Sequence, residues 1–153
     1  MGSPHPRVPP LVILLLVGGL MLLLARTVPV RSYELPWRKP AVGLIAFIGG
    51  VIVVSGVVSF RRARTTVNPR QPQRASALVT SGVYRLTRNP MYLGMLLWLI
   101  AWTGWLAHPL ALLGPALFVV GMNRFQIKPE EAALERLFGE AFLAYRRKVR
   151  RWI

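Results

Sequence analysis

The sequence predicts an all-α integral membrane protein, a helical bundle of about four transmembrane helices plus a C-terminal amphipathic helix. Hydrophobic residues make up 54% of the 153 residues and charged residues only 16%, and the mean hydropathy is +0.44. Average soluble domains contain about 25% charged residues. The chain is long enough for one domain and too short for two. We therefore expect residues 1–153 to form a single membrane domain.

The first predicted span is 8–25, an almost unbroken apolar run. At about 1.5 Å per residue a helix of this length reaches roughly 27 Å, near the thickness of a bilayer's hydrocarbon core. The run could instead be the core of a signal peptide. However, the sequence LLLARTV is a poor cleavage site and the run exceeds the usual length of such cores, so a retained span is favoured.

The second predicted span is 41–60, which follows a polar connector whose prolines block helix continuation. Small residues in a membrane helix allow another helix to approach its backbone closely. The second span offers three such residues: Gly49, Gly50 and Gly56.

The third and fourth spans share one long apolar stretch, 91–127, with His108 and a proline near its middle. Two helices, 91–107 and 109–126, joined by a tight turn fit a bilayer better than one long helix. We interpret His108 as a turn residue at headgroup level, with a proton shuttle as the less favoured alternative. The tryptophans of the third span are expected to face lipid or the interface: Trp98, Trp102 and Trp105.

The last segment, KPEEAALERLFGEAFLAYRRKVRRW, is typical of an amphipathic helix at a membrane surface. Pro129 suits the first helical position, and acidic residues after it favour the positive end of the helix dipole. Gly139 interrupts the pattern and is a candidate bend. Apolar residues recur at three- and four-residue steps: Leu134, Leu137, Phe138, Phe142, Tyr145 and Val149.

Basic residues predict the orientation. With both termini in the cytoplasm, sixteen of the twenty lysines and arginines lie inside and four outside, as the positive-inside rule favours. The predicted location is the plasma (inner) membrane. A net charge of +15 can also indicate nucleic-acid binding. Here the basic residues flank apolar runs, so we expect no binding to nucleic acid. The absence of cysteine excludes disulfides and thiolate chemistry.

Two polar segments flank the predicted hairpin on the cytoplasmic side, 78–92 before it and 124–131 after it. Because the hairpin returns the chain, its two ends should lie about one helix spacing apart. Together they offer arginines, tyrosine hydroxyls, an amide and two carboxylates. Such a set suits a zwitterionic ligand with a carboxylate and an amine. Ordinary interfacial anchors are an equally good interpretation on these grounds alone.

The paired motifs LVTSGVYRLTRNPMYLG and KPEEAALERLFGEAFLAYRRKVRRW resemble the isoprenylcysteine carboxyl methyltransferase family of membrane methyltransferases. The resemblance covers residues 76–151. That family and the related phospholipid methyltransferases use S-adenosylmethionine. The resemblance implies a cytoplasmic cofactor pocket built from 76–92 and 124–151, and no metal. It also implies these cofactor-binding residues: Leu78, Val79, Tyr84, Asn89, Pro90, Met91, Tyr92 and Glu130.

Three positions carry the implied chemistry. Glu130 matches the first of a glutamate pair near the reacting centre, where it would orient the cofactor amine or deprotonate an acceptor. Gln126 stands where prenylcysteine enzymes have a substrate-binding arginine, and Arg124 lies close enough to substitute. Gln126 and Arg124 are therefore the candidate substrate-binding residues, and Glu130 and Arg124 the candidate catalytic ones. Asn89 replaces a histidine of the eukaryotic enzymes, so any contact that needs an imidazole is lost while backbone contacts can remain.

The predicted function is S-adenosylmethionine-dependent methyl transfer to a lipophilic, amine or thiol acceptor. An apolar or amphipathic acceptor would enter from the bilayer, and the cofactor from water. Since Gln126 carries no charge, prenylcysteine is expected to be a poor substrate. The main alternative is a catalytically inactive family member that acts as a membrane scaffold or partner subunit. A transporter or channel is disfavoured, because transport pathways usually place charged residues within the spans, and these spans have none before Arg124.

Overall fold

The computed structural model describes residues 8–30, 33, 35–63 and 77–153, and within these ranges it contains helices and no strands. A π-helical turn, Asn123–Ile127, joins α4 to α5, and short 3-10 turns occupy Gly82–Arg85 and Pro109–Leu112. The all-α prediction is confirmed. The six helices are α1 Pro10–Thr27, α2 Arg38–Arg62, α3 Pro90–Leu106, α4 Leu113–Met122, α5 Lys128–Phe138 and α6 Glu140–Lys148.

Three helical stretches of the described chain are long and apolar enough to cross a membrane: α1, α2 and the continuous run Pro109–Phe138. α3 is also apolar but has only 17 residues, about 25 Å of helix. Four spans therefore remain a prediction.

Some residues used in the predictions lie outside the described ranges. They include residue 76, the first of the 76–92 segment, and several basic residues on which the predicted orientation depends. The basic residues concerned are Arg7, Arg31, Arg64, Arg70 and Arg74.

α2 and α3 pack backbone to backbone at a pair of glycines. A Cβ added at Gly94 would lie 2.5 Å from the Gly49 carbonyl oxygen, and one at Gly56 would lie 3.0 Å from Met91 Cγ. Gly49 and Gly56 thus permit the close approach expected of them. Gly50 has nothing within 4 Å of its added Cβ, so that prediction is wrong for Gly50, whose face points away from α3.

The tryptophans of α3 only partly follow the predicted lipid-facing pattern. Trp105 is 58% exposed, as expected. Trp98 and Trp102 are half-buried, because their indole N–H groups donate to backbone carbonyls of neighbouring helices. Trp98 Nε1 lies 3.1 Å from Ala46 O on α2, and Trp102 Nε1 lies 3.2 Å from Gly18 O on α1. An indole N–H inside the bundle needs such an acceptor.

The end of the bundle formed by the α1–α2 and α3–α4 connections is held by polar contacts. α3 ends at Leu106, and the next residue, Ala107, lies in the left-handed region at φ 51°, where the chain turns back. Arg38 Nη1 donates to Gly104 O at 3.0 Å, which satisfies a carbonyl at the negative end of α3. His108 is a turn residue, as predicted. Its side chain is buried, with Nε2 3.1 Å from Val28 O, and its place at headgroup level remains a prediction.

The predicted amphipathic helix is two helices, α5 and α6, broken where a bend was expected. Gly139 has φ +52° and ψ −127°, a conformation that favours glycine. Phe142 and Tyr145 of α6 are buried. Leu137 is 43% exposed, so the predicted apolar face does not run unbroken through both helices.

Candidate functional site

The hairpin of α3 and α4 brings the two polar segments together through one carboxylate. The Tyr92 hydroxyl, in the first turn of α3, donates to Glu130 Oε1 at 2.7 Å. Gln126 Nε2 donates to the same oxygen at 2.6 Å. Residues 38 positions apart in sequence therefore meet as expected. We call Tyr92, Gln126 and Glu130 the carboxylate cluster.

Two residues of the π-helical turn, Gln126 and Arg124, differ in whether their side chains enter this cluster. Gln126 is completely buried, with 0% exposure, whereas Arg124 is exposed. Residues two apart on a helix point to different sides. The structure therefore does not bring Arg124 into the cluster as a substitute for the missing arginine. Single π turns inside α-helices are frequent at functional sites.

Tyr84 lies on the 3-10 turn before α3 and is 5% exposed. Its ring packs edge-on against Phe60 at the end of α2, with centroids 5.3 Å apart, and its carbonyl accepts a hydrogen bond from the Tyr145 hydroxyl at 2.7 Å. Burial, and then the nearby Tyr145 and Glu130, raise the pKa of the Tyr84 phenol far above its ordinary value. The phenol therefore stays neutral beside the carboxylate cluster.

The second glutamate of the pair, Glu131, is an ion-pair partner of two arginines. Arg88 Nη2 lies 3.0 Å from Glu131 Oε1, and Arg151 Nη2 lies 2.6 Å from Oε2. Arg151 Nε also donates to Oε1 at 3.1 Å. The Glu131 side chain is 12% exposed, so these pairs are screened less than surface pairs. Adjacent glutamates thus have separate partners.

A segment after α6, residues 150–152, binds the stretch just before α3, and we call it the tail segment. The Arg88 backbone N–H donates to Arg150 O at 3.0 Å, and Asn89 Nδ2 donates to Arg151 O at 2.8 Å. Trp152 Nε1 donates to Asn123 Oδ1 at 3.2 Å, at the start of the π turn. The tail segment therefore connects both halves of the site.

These contacts change the interpretation of one implied cofactor residue. The Asn89 side-chain amide donates through Nδ2 to the tail segment, and contact of the Asn89 backbone with a cofactor remains a prediction. Pro90 and Val79 are buried, and Leu78 and Met91 half-buried. Their contact with a cofactor remains a prediction.

Sequence reasoning missed the ion-pair partner Arg151 and the hydroxyl of Tyr145. Tyr145 was assigned only to the apolar face of the last helix, although a buried phenol also requires a hydrogen-bond partner. Arg151 is one of several basic residues near the end of the chain, and nothing in the pattern distinguishes it. The sequence did point to Glu131, because it is the second residue of the glutamate pair that begins with Glu130.

The carboxylate cluster can hold a cation. Glu130 is half-buried and its Oε1 is oriented by two donors, so its position is fixed before any ligand binds. A fixed, partly desolvated carboxylate attracts an ammonium or sulfonium group more strongly than one in bulk water. The neutral Tyr84 adds no competing charge.

Comparison with known proteins gives one family match and several relatives. The family model described as phospholipid methyltransferase matches residues 38–141, more than half of the chain. An uncharacterized protein of Haemophilus influenzae is 51% identical over 63 residues, 41% of this chain and 100% of that protein.

Two longer relatives carry functional names. A probable protein-S-isoprenylcysteine O-methyltransferase of Oryza sativa subsp. indica is 34% identical over 114 residues, which is 74% of this chain and 60% of that protein. The protein-S-isoprenylcysteine O-methyltransferase of Xenopus laevis is 33% identical over 112 residues, 69% of this chain and 39% of that protein. The chain therefore spans less than two thirds of the length of each of these two relatives.

Proposed function

The chain belongs to the phospholipid methyltransferase family, and on that premise we propose that it transfers a methyl group from S-adenosylmethionine to a lipophilic or small acceptor. The resemblance seen in the two motifs is confirmed by the family match and by the isoprenylcysteine methyltransferase relatives. The proposed enzyme is embedded in the plasma (inner) membrane, with its site on the cytoplasmic face.

One observation carries the proposal: Glu130 Oε1 accepts hydrogen bonds from both Tyr92 and Gln126. These contacts join the same two motifs that carry the family resemblance, across the α3–α4 hairpin. A purely structural role in lipid would not require a half-buried carboxylate at this point, because a carboxylate is costly to desolvate. The contacts support a ligand with a cationic group.

The chemistry of S-adenosylmethionine fits these residues. When bound, it would supply a methyl group on a sulfonium sulfur, which would leave with its electron pair as a neutral thioether, and the proton of a thiol or amine acceptor would pass to solvent. Glu130 would bind the ammonium of the methionine part, and Tyr92 and Gln126 would fix that carboxylate. The task of the chain is alignment, which can lower a barrier by up to roughly 7–11 kcal/mol in ideal cases.

The proposed acceptor is a neutral or amphipathic lipid, amine or thiol. Gln126 is buried and donates to Glu130, so the position that would carry a substrate-binding arginine serves the carboxylate instead. Arg124 is exposed on another side of the turn. An anionic prenylcysteine carboxylate would therefore meet Glu130 without a compensating guanidinium from either residue.

We favour an active enzyme over the alternative of an inactive scaffold or partner subunit. The polar side chains of both motifs are present and bonded to one another. An inactive scaffold has no need to keep a charged group fixed at the junction of α3 and α5.

Calorimetric titration of the detergent-purified full chain with S-adenosylmethionine tests the proposal. We expect Glu130→Gln and Tyr92→Phe each to weaken binding by about ten- to a hundredfold, since a hydrogen bond to a charged group contributes about 1.5–3 kcal/mol. The matched control is Glu135→Gln, an exposed residue of the same helix paired with Arg146 at 3.1 Å. The Glu135→Gln variant should bind S-adenosylmethionine with wild-type affinity.

Thermal unfolding must be measured beside the titration. Glu130 lies in the first turn of α5, where an acidic residue contributes about 0.3–1 kcal/mol to helix stability. If the wild type binds the cofactor and both Glu130→Gln and Tyr92→Phe bind it equally well, the carboxylate cluster is a structural anchor. If the wild type binds no cofactor, the proposed function is wrong.

A further inference from the structure

Arg88 is a buried guanidinium with most of its donors unused. Its side chain is 10% exposed, and Nη2 lies 3.0 Å from Glu131 Oε1. Its Nε and Nη1 are buried and have no hydrogen-bond partner within the described part of the chain. These two nitrogens carry three of the five N–H groups of an arginine. Buried polar groups in proteins are nearly always hydrogen-bonded, so these donors call for an explanation.

The charges around Arg88 leave an excess of positive charge. Glu131 is shared between Arg88 and Arg151, so one carboxylate faces two guanidinium groups. Burial lowers the pKa of Arg88, Glu131 opposes that change, and the nearby Arg151 and Arg146 lower the pKa further. A second negative group beside Arg88 would relieve both the desolvation and the repulsion.

We propose that Arg88 binds the oxyanion of a ligand, a carboxylate or a phosphate, through Nε and Nη1. This inference rests on the proposed function and extends it, because Arg88 lies just before α3, whose first turn holds the Tyr92 that bonds to Glu130. A cation at Glu130 and an oxyanion at Arg88 would together hold a zwitterion. Two sources present this pair of charges: the amino acid part of S-adenosylmethionine, and the headgroup of a phospholipid.

The cofactor source is tested with decarboxylated S-adenosylmethionine, which lacks only the carboxylate. If the carboxylate binds Arg88, the wild type prefers S-adenosylmethionine over the decarboxylated compound by about tenfold or more. Arg88→Gln should lose that preference by binding S-adenosylmethionine more weakly, with its affinity for the decarboxylated compound unchanged.

The lipid source is tested with phosphatidic acid against diacylglycerol of the same acyl chains, measured by native mass spectrometry of the detergent-purified full chain. If the phosphate binds Arg88, the wild type prefers phosphatidic acid, and Arg88→Gln loses that preference while keeping the wild-type affinity for S-adenosylmethionine.

Two further variants separate binding from folding. Arg88→Lys keeps a positive charge beside Glu131 but offers a single nitrogen, so it should lose the same preference as Arg88→Gln while remaining folded. Arg151→Gln removes the other ion-pair partner of Glu131 and should keep the preference.

The inference is overturned if wild type, Arg88→Gln and Arg88→Lys show equal preferences in both tests. A wild type that binds no S-adenosylmethionine refutes the proposed function, and the lipid test then decides the role of Arg88 alone.

Discussion

Substitution of Gly94 by alanine should separate α2 from α3 and disturb the site. The added Cβ would lie 2.5 Å from both Gly49 O and Val53 Cγ2. Carbon atoms pack best at about 3.5–4.0 Å, so the helices must move apart by about 1 Å. Overpacking of this kind costs about 1–3 kcal/mol. Alanine's higher helix propensity offsets about 1 kcal/mol of that cost.

Gly50→Ala is the matched control, because the same substitution on α2 meets nothing within 4 Å. Gly50→Ala gains the higher helix propensity of alanine, and its added Cβ does not collide with a neighbouring helix. We therefore expect Gly94→Ala to be less stable than Gly50→Ala by about 1–3 kcal/mol. Denaturant unfolding in mild detergent measures this difference between the two variants.

The same displacement should reach the carboxylate cluster. Gly94 is two residues after Tyr92, whose hydroxyl lies 2.7 Å from Glu130 Oε1. A misplacement of about 1 Å at a binding group can cost up to about a hundredfold in activity. Titration with S-adenosylmethionine should show weaker binding for Gly94→Ala and wild-type binding for Gly50→Ala. Equal stability and equal affinity of the two variants would refute this account of α2–α3 packing.

Two other predictions concern topology and substrate. A cysteine introduced at the exposed Ser81 should be labelled from the cytoplasmic side and one at the exposed Leu35 from the opposite side; the reverse pattern would overturn the orientation. With labelled cofactor, purified enzyme should methylate a membrane lipid or a simple thiol and act poorly on a farnesylated cysteine analogue. Rapid methylation of the farnesylcysteine carboxylate, abolished by Arg124→Ala, would contradict the proposed acceptor class.

The helical hairpin and the meeting of its two ends could be predicted from the sequence, because both depend on local features. Apolar length indicates where helices lie, and a proline beside His108 marks the turn. A return of the chain then forces the flanking polar segments together, and the bond between Tyr92 and Glu130 follows from that geometry.

Side-chain contacts within the site, such as those of Gln126 and Arg151, could not be predicted from the sequence. Arg124 lies six residues before Glu130 and Gln126 four residues before it, and in the structure Gln126 is buried whereas Arg124 is exposed. A π turn has no reliable sequence signal. The partners of Arg151 were equally hidden, since a long-range ion pair leaves no periodic pattern.

The tail segment has a consequence for how the protein is made. Asn89 bonds to a carbonyl 62 residues later in the chain. At about 5–20 residues per second, a ribosome needs roughly 3–12 seconds to add that length. α1, α2 and α3 are therefore synthesised before the partner that holds the start of α3 exists. A nascent chain halted ahead of Arg150 would contain α1 to α6 and still lack the contacts that the tail segment makes with residues 87–89.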